Sequence, residues 1–575
     1  MSTPLDIDAY RQSVESLKAQ EAALRYDHDA LMHMTEDEAR ANAIFTRLRD
    51  AEVQARWEKD GDLDNFAGMD FYGARQNGLG HHEPTPVWDA IHRMPKGALL
   101  HCHFDGTVDT RFLLEHARNT PNMAMKADRP LSSPEALWKA TVEFLVLPST
   151  QERAATSIYS DEYVAGTWVS FHTARETFPY PHPYLSEQYD QESKLPNYLF
   201  PSSSSASASK TNGYAAESAT FDSGLSFDAF AHALMTLTPH SAAPAIVNSK
   251  QAWAKFQSTF GVIAGLIGYE PTLKAYTKEL LRSHARDGIS YTETRINFLT
   301  EFMVRADGTP DLNHEEWVRI FIEAVNEVKA EITDGSFVDA KIIYTTVRFV
   351  DNEKLRWYLE DCLTLKKKFP EWIVGFDLVG HEDPLLPLKV YIPELLRFQQ
   401  RCKEEGVEIP FVFHAGETLE DGGDADLNLY DAVVLGTKRI GHGVSLARHP
   451  MLTDMVKERD ICVEICPISN QILGYTASMS SHPSLLALLH RNVAVALSSD
   501  DPSIFENFGL SYDFYQLAIC SKSTSLVSLA VLARRSLKYS LVGEKTKATM
   551  LADFEKRWNA FLAWFLFEHG HVLQN

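Results

Sequence analysis

Two histidines one residue apart, His101 and His103, share a face of any extended strand, because side chains alternate along it. Paired imidazoles of this kind supply half of a tetrahedral metal site, although the same spacing also arises as two ordinary surface histidines. Farther along stand His414, followed three residues later by Glu417, and His442 between two glycines. Asp500 and Asp501 are adjacent, and two carboxylates so close need a cation or a proton to relieve their repulsion. Three imidazoles and one carboxylate, from His101, His103, His414 and Asp500, suit a single Zn²⁺ with a position left open for water. Such an ion brings the pKa of its water down to about 7. Glu417 stands near enough to exchange a proton with a substrate, and His442 to orient or deprotonate the water. Plainer readings stand beside these: the aspartate pair as a helix cap, His442 as a hydrogen-bonded core residue.

The elements that must position these residues are short apolar runs, each closing in polar side chains. They cover 98–100, 288–296, 340–348, 372–380, 409–414, 439–442, 461–466 and 493–500, and amphipathic stretches such as 315–332 and 393–405 lie between them. Strands alternating with helices make a parallel sheet, and eight such units predict an α/β fold of the closed (β/α)₈ TIM-barrel type. In that fold the active site lies at the carboxyl ends of the strands. Four separate strand ends supply metal-type or acid–base side chains, and that coincidence weighs against the plainer readings. The fourth end, 377–383, has no lysine to bridge two metals, while Glu382 and Asp383 leave a second metal open. Cys462 and Cys466 read as residues of the core of their strand or as supports behind the metal ligands.

The organisation predicted is a helical N-terminal extension over 1–93, a barrel over 94–545 and a C-terminal helix over 546–575. The interval from His103 to Gly288 far exceeds the ordinary strand-to-strand repeat of about 30 residues, so an insertion of about 107–225 follows the first strand. It contains a Ser-rich run, 202–209, with too little apolar surface to order itself. The chain has 575 residues, 45% of them hydrophobic, enough for a large core. Its net charge of −23 repels phosphate backbones and anionic lipid heads, so no nucleic acid and no membrane surface is expected as a partner, and a small neutral substrate is. The six cysteines are too few and too irregularly spaced for a disulfide framework. With no signal-peptide pattern at the N-terminus and no Asn-x-Ser/Thr acceptor, the expectation is a cytoplasmic protein.

The motifs MPKGALLHCHFDG, DLVGHED, HAGET, RIGHG, CPISNQ, HPSLLALL and SSDDPSIF, in this order, resemble the adenosine deaminase family, specifically its adenosine-deaminase-related growth factor (type 2) branch. The resemblance implies one zinc ion per subunit and hydrolytic deamination of adenosine or 2′-deoxyadenosine to inosine or 2′-deoxyinosine plus ammonia. It implies zinc ligation by His101, His103, His414 and Asp500. It implies protonation of the purine N1 by Glu417 and positioning of the attacking hydroxide by His442. Asp501 is implied to face N7, Gly380 to offer a backbone contact to N3, Asp105 to touch the ribose, and Trp253 to border the nucleoside. The helical arm occupies the place where this branch dimerises, which implies a homodimer.

Three features depart from the secreted members. The insertion contains no cysteine, Asp105 follows the second histidine after a single residue, and Val347 stands where that branch has a histidine near the sugar. Two other functions therefore stay open at this point. The same chemistry on AMP or an N6-substituted adenosine would want a basic residue for phosphate, and Arg295 and Arg348 are the candidates, though barrel arginines are more often structural ion pairs. A non-catalytic growth-factor-like binding protein is the third, and it would need none of the acid–base residues.

Overall fold

The computed structural model describes residues 7–57, 85–180, 226–237, 248–507 and 509–573; the Ser-rich run 202–209 lies outside them. In chain order its strands are β1 (Gly97–His103), β2 (Met123–Ala127), β3 (Val142–Val146), β4 (Val169–Ser170), β5 (Ile289–Asn297) and β6 (Asp339–Val347). There follow β7 (Ile373–Val379), β8 (His414–Ala415), β9 (Arg439–His442), β10 (Cys462–Ile465) and β11 (Val495–Leu497).

Eight of them are parallel and fall into two runs, β1-β5-β6-β7 and β8-β9-β10-β11. Single parallel bridges join the runs at both edges, Phe376 to Phe411 and Cys102 to Asp500, so the sheet closes into the expected barrel. The second edge is tied by Asp500 N–H donating to the His101 carbonyl at 3.2 Å and His103 N–H donating to the Asp500 carbonyl at 3.1 Å. β8 is the least regular strand because its run opens on Ile409-Pro410, and a proline has no N–H to give a ladder. The remaining strands, β2 to β4, form a small antiparallel sheet in the insertion after β1.

The barrel interior carries charge as well as apolar side chains. Arg295 of β5 donates to Asp377 of β7 and Glu464 of β10 at 2.7 Å each, and Arg439 of β9 lies 2.7 Å from Glu293 of β5. All five are buried. Buried charges persist only when so compensated, and this layer ties opposite walls of the barrel together beneath the strand ends.

Outside the barrel, helix Glu36–Glu52 starts in a Thr35–Glu38 capping box and packs on helices Leu526–Lys538 and Glu544–His569. Trp558 donates to Glu38 at 2.9 Å, and Arg49 reaches the Thr524 carbonyl at 2.7 Å. Among the described residues no helix is long and apolar enough to cross a membrane. The six cysteines are free thiols.

Candidate active site at the carboxyl ends of the strands

His101 and His103 close β1, His414 opens β8 directly above the ionic layer, His442 closes β9, and Asp500 follows β11. The fold brings all five together. Ring centres lie 4.5 Å apart for His101 and His414, 5.4 Å for His101 and His103, and 4.8 Å for His101 and His442. Asp500 Oδ1 is 3.4 Å from His101 Nε2 and 3.3 Å from His103 Nε2. His442 and Asp500 both take left-handed backbone, φ 62° and 59°, conformations costly for residues with a Cβ and held here by the surrounding fold.

Carboxylates stand behind two of the imidazoles. Glu464 lies 2.9 Å from His101 Nδ1 and Asp377 lies 2.7 Å from His414 Nδ1, so each ring turns Nε2 toward the centre of the site. His101 Nε2 is buried and makes no hydrogen bond. A buried, unpaired ring nitrogen facing two more imidazoles and a carboxylate fits a metal ligand, and His101, His103 and His414 approach one another closely enough to share one ion. Burial keeps His414 and His442 neutral against the pull of the nearby carboxylates. Burial drives His414 down to about 3 and His442 well below its ordinary value. Burial would raise Asp500, but the proximity of His101, His103 and His442 holds it well below the usual carboxylate range.

Two acids behave in the opposite way. Burial first, then the charges of Asp500 and Glu382, push the Glu417 carboxyl well above its ordinary value. Burial, Asp500 and Asp105 do the same to Asp501. Glu417 Oε1 sits 3.3 Å from His442 Nδ1, and Asp501 lies against Gly106, where an added Cβ would fall 1.8 Å from Asp501 Oδ1. Only glycine lets the loop after β1, which carries the half-buried Asp105, close over that carboxyl. Gly380 ends β7 at φ 116°, and a Cβ there would lie 2.7 Å from Leu385, so its backbone is presented without a side chain. Trp253, on helix Ser249–Ile267, stacks on His381 with ring centres 4.1 Å apart and planes within 1°.

Some functional neighbours escaped sequence reasoning. Glu382, left open above as a ligand of a second metal, is committed elsewhere. Its carboxylate accepts from Glu417 N–H at 2.9 Å and Asn428 Nδ2 at 2.6 Å and pairs with Arg348 at 3.1 Å. Arg348 and Arg295 are both fully buried, their guanidinium groups turned to carboxylates and to backbone carbonyls. Cys466 lies beside His101, His442 and Asp500. The available signal for Asp377 and Glu464 was a lone charged residue inside an apolar strand, which is costly unless paired.

The sequence model of the adenosine deaminase family matches residues 232–557. The chain belongs to that family. It is 30% identical over 520 residues to adenosine deaminase 2-A of Danio rerio, a match covering 90% of this chain and 88% of the relative. It is 38% identical over 315 residues to adenosine deaminase of Lutzomyia longipalpis, covering 54% of this chain and 59% of that one. The second match thus spans less than two thirds of its relative. Among solved structures, the apo N6-methyl-AMP deaminase of Arabidopsis thaliana superposes with a TM-score of 0.50 at 16% identity, over 82% of this chain and 98% of that one. Likeness at that identity shows a shared fold, and membership in the adenosine deaminase family makes this chain a deaminase-type hydrolase by descent.

Proposed function

We propose that the protein hydrolyses the C6 amino group of a free purine nucleoside, adenosine or 2′-deoxyadenosine, giving the inosine product and ammonia. Zinc would be held by His101, His103, His414 and Asp500, and when bound it supplies a water acidic enough to attack at neutral pH.

The observation that carries the reading is Glu417. Its carboxyl is buried, displaced toward the protonated form and set beside His442 and Asp500. A protonated acid there donates to the purine N1, which makes C6 electrophilic. His442, beside Asp500, orients the attacking oxygen, and the added oxygen's proton passes to the amino group, which leaves as ammonia. Asp501, likewise displaced toward its neutral form, donates to N7, which is only an acceptor. The Gly380 backbone borders N3, and Trp253 on His381 walls the sugar side. A nucleoside suits the site better than a nucleotide, since both candidate phosphate ligands, Arg295 and Arg348, are consumed in buried pairs.

The test is ultraviolet absorbance of the zinc-loaded protein with adenosine, 2′-deoxyadenosine, AMP and N6-methyladenosine. Turnover of the two free nucleosides is expected. Failure on all four would sink the reading, and turnover of AMP alone would transfer it to nucleotides.

A further inference from the structure

His442 faces the reacting centre with one ring nitrogen, and whether that nitrogen carries a proton decides whether it donates or accepts there. Distances between heavy atoms do not settle a tautomer by themselves. Here a chain of buried contacts does, because it starts from donors whose identity is beyond choice. The backbone N–H groups of Ser484 and Leu485 both donate to His482 Nδ1, at 3.2 and 3.0 Å. His482 Nδ1 therefore accepts, and its proton is on Nε2. That nitrogen lies 3.0 Å from Asn470 Oδ1, which must be the amide oxygen, since an amide NH₂ in that place would set two donors against each other. Asn470 Nδ2 then faces His442 Nδ1 at 3.0 Å and donates to it. His442 Nδ1 is left as an acceptor.

We infer that His482 and Asn470 are positioning residues that fix His442 in the Nε2–H tautomer, so that it presents a donor, not a base, to the oxygen that attacks the substrate. The three residues are buried, at 1% exposure for His442, 0% for Asn470 and 6% for His482, so water does not compete for these bonds. Burial of His482, which lowers it to about 4, keeps the first link neutral over the working pH range. Glu417 Oε1, 3.3 Å from the same His442 nitrogen, agrees with this polarity, because a protonated Glu417 can also donate to it. His482 and Asn470 come from HPSLLALL and CPISNQ.

The inference rests on the proposed reaction only for its catalytic meaning; the tautomer itself is observable without substrate. Long-range ¹⁵N–¹H spectra of the full-length, zinc-loaded protein labelled at histidine, with His442 assigned by the His442→Gln spectrum, should show Nε2–H. His482→Gln, which still accepts from the backbone and donates to Asn470, should hold that pattern and keep kcat within about threefold. Asn470→Asp, which can only accept, should move the proton to Nδ1 and lower kcat by about 10²-fold or more, with KM changed far less and one zinc retained, as expected for a wrongly protonated histidine. A parent protein with His442 protonated on Nδ1 would overturn the inference, as would folded Asn470→Asp with unchanged tautomer and kcat. If no purine is turned over, the proposed function falls while the spectrum still decides the tautomer.

Discussion

Asp377 Oδ2 accepts from Nδ1 of His414 at 2.7 Å while the same oxygen takes the Arg295 guanidinium, also at 2.7 Å, so one buried carboxylate joins a metal-type imidazole to the ionic layer of the barrel. Arg295 continues to Glu464, which lies behind His101. The orientations of two proposed ligands thus depend on a single guanidinium.

Asp377→Asn keeps an acceptor for His414 but removes the charge facing Arg295. Zinc affinity should fall by about 10- to 100-fold, the usual effect of losing a carboxylate behind a ligating histidine. Stability should fall with it, since the buried Arg295 loses one of its two carboxylate partners and keeps only Glu464. Competition with a chromophoric chelator and denaturant midpoints read the two effects. Unchanged zinc affinity in a folded variant would show that Asp377 does not orient His414.

Glu417 and His414 should separate chemistry from metal binding. Glu417→Gln removes the proton donor and leaves the imidazoles untouched, so zinc content stays at one per chain while kcat drops by about 10²–10⁴-fold. His414→Ala should lose both zinc and activity. Metal analysis beside the absorbance assay distinguishes them, and a zinc-free Glu417→Gln would assign Glu417 to the metal instead.

The eight strands were legible because each is a short apolar run ending in polar residues, a pattern imposed by burial within the sheet and exposure at the mouth. The cluster of His101, His103, His414, His442 and Asp500 was legible because imidazoles and carboxylates are scarce enough for four strand ends bearing them to stand out. Other partners left weaker traces. Glu382 looked like a second-metal ligand by type, and only its contacts with Arg348, Asn428 and the Glu417 amide reveal it as the brace of the loop after β8. Asn470 and His482 are ordinary polar residues whose meaning lies in which atom faces which, and that emerges only when residues twelve apart meet. The stack of Trp253 on His381 joins helix Ser249–Ile267 to the loop after β7, a pairing that no local pattern encodes.

Asp501 offers a test by substrate rather than by protein alone. If its protonated carboxyl donates to N7, then 7-deazaadenosine, which has no acceptor there, should lose about 1–3 kcal/mol of transition-state binding, roughly five- to 150-fold in kcat/KM. Asp501→Ala should be damaging toward adenosine and nearly neutral toward the deaza compound. Equal losses on both substrates would remove N7 from the role assigned to Asp501.

His284 should make the fold sensitive to acid. It is buried on helix Glu270–Arg286 with neither ring nitrogen hydrogen-bonded, and burial lowers it from 6.5 to about 4. His482 is lowered to about 4 for the same reason. Above pH 6.5 both rings are neutral whether the chain is folded or not, and stability is independent of them. As pH falls below 6.5 the unfolded chain takes up protons that the folded one refuses until about pH 4, so stability declines across that window by about 1.4 kcal/mol per pH unit for each ring. Urea midpoints of the zinc-loaded protein between pH 7.5 and 4 should trace the decline. His284→Leu should flatten it and raise the midpoint at pH 5 relative to the parent, because the leucine has no proton to refuse. A parallel acid limb in parent and variant would show that His284 titrates equally in both states.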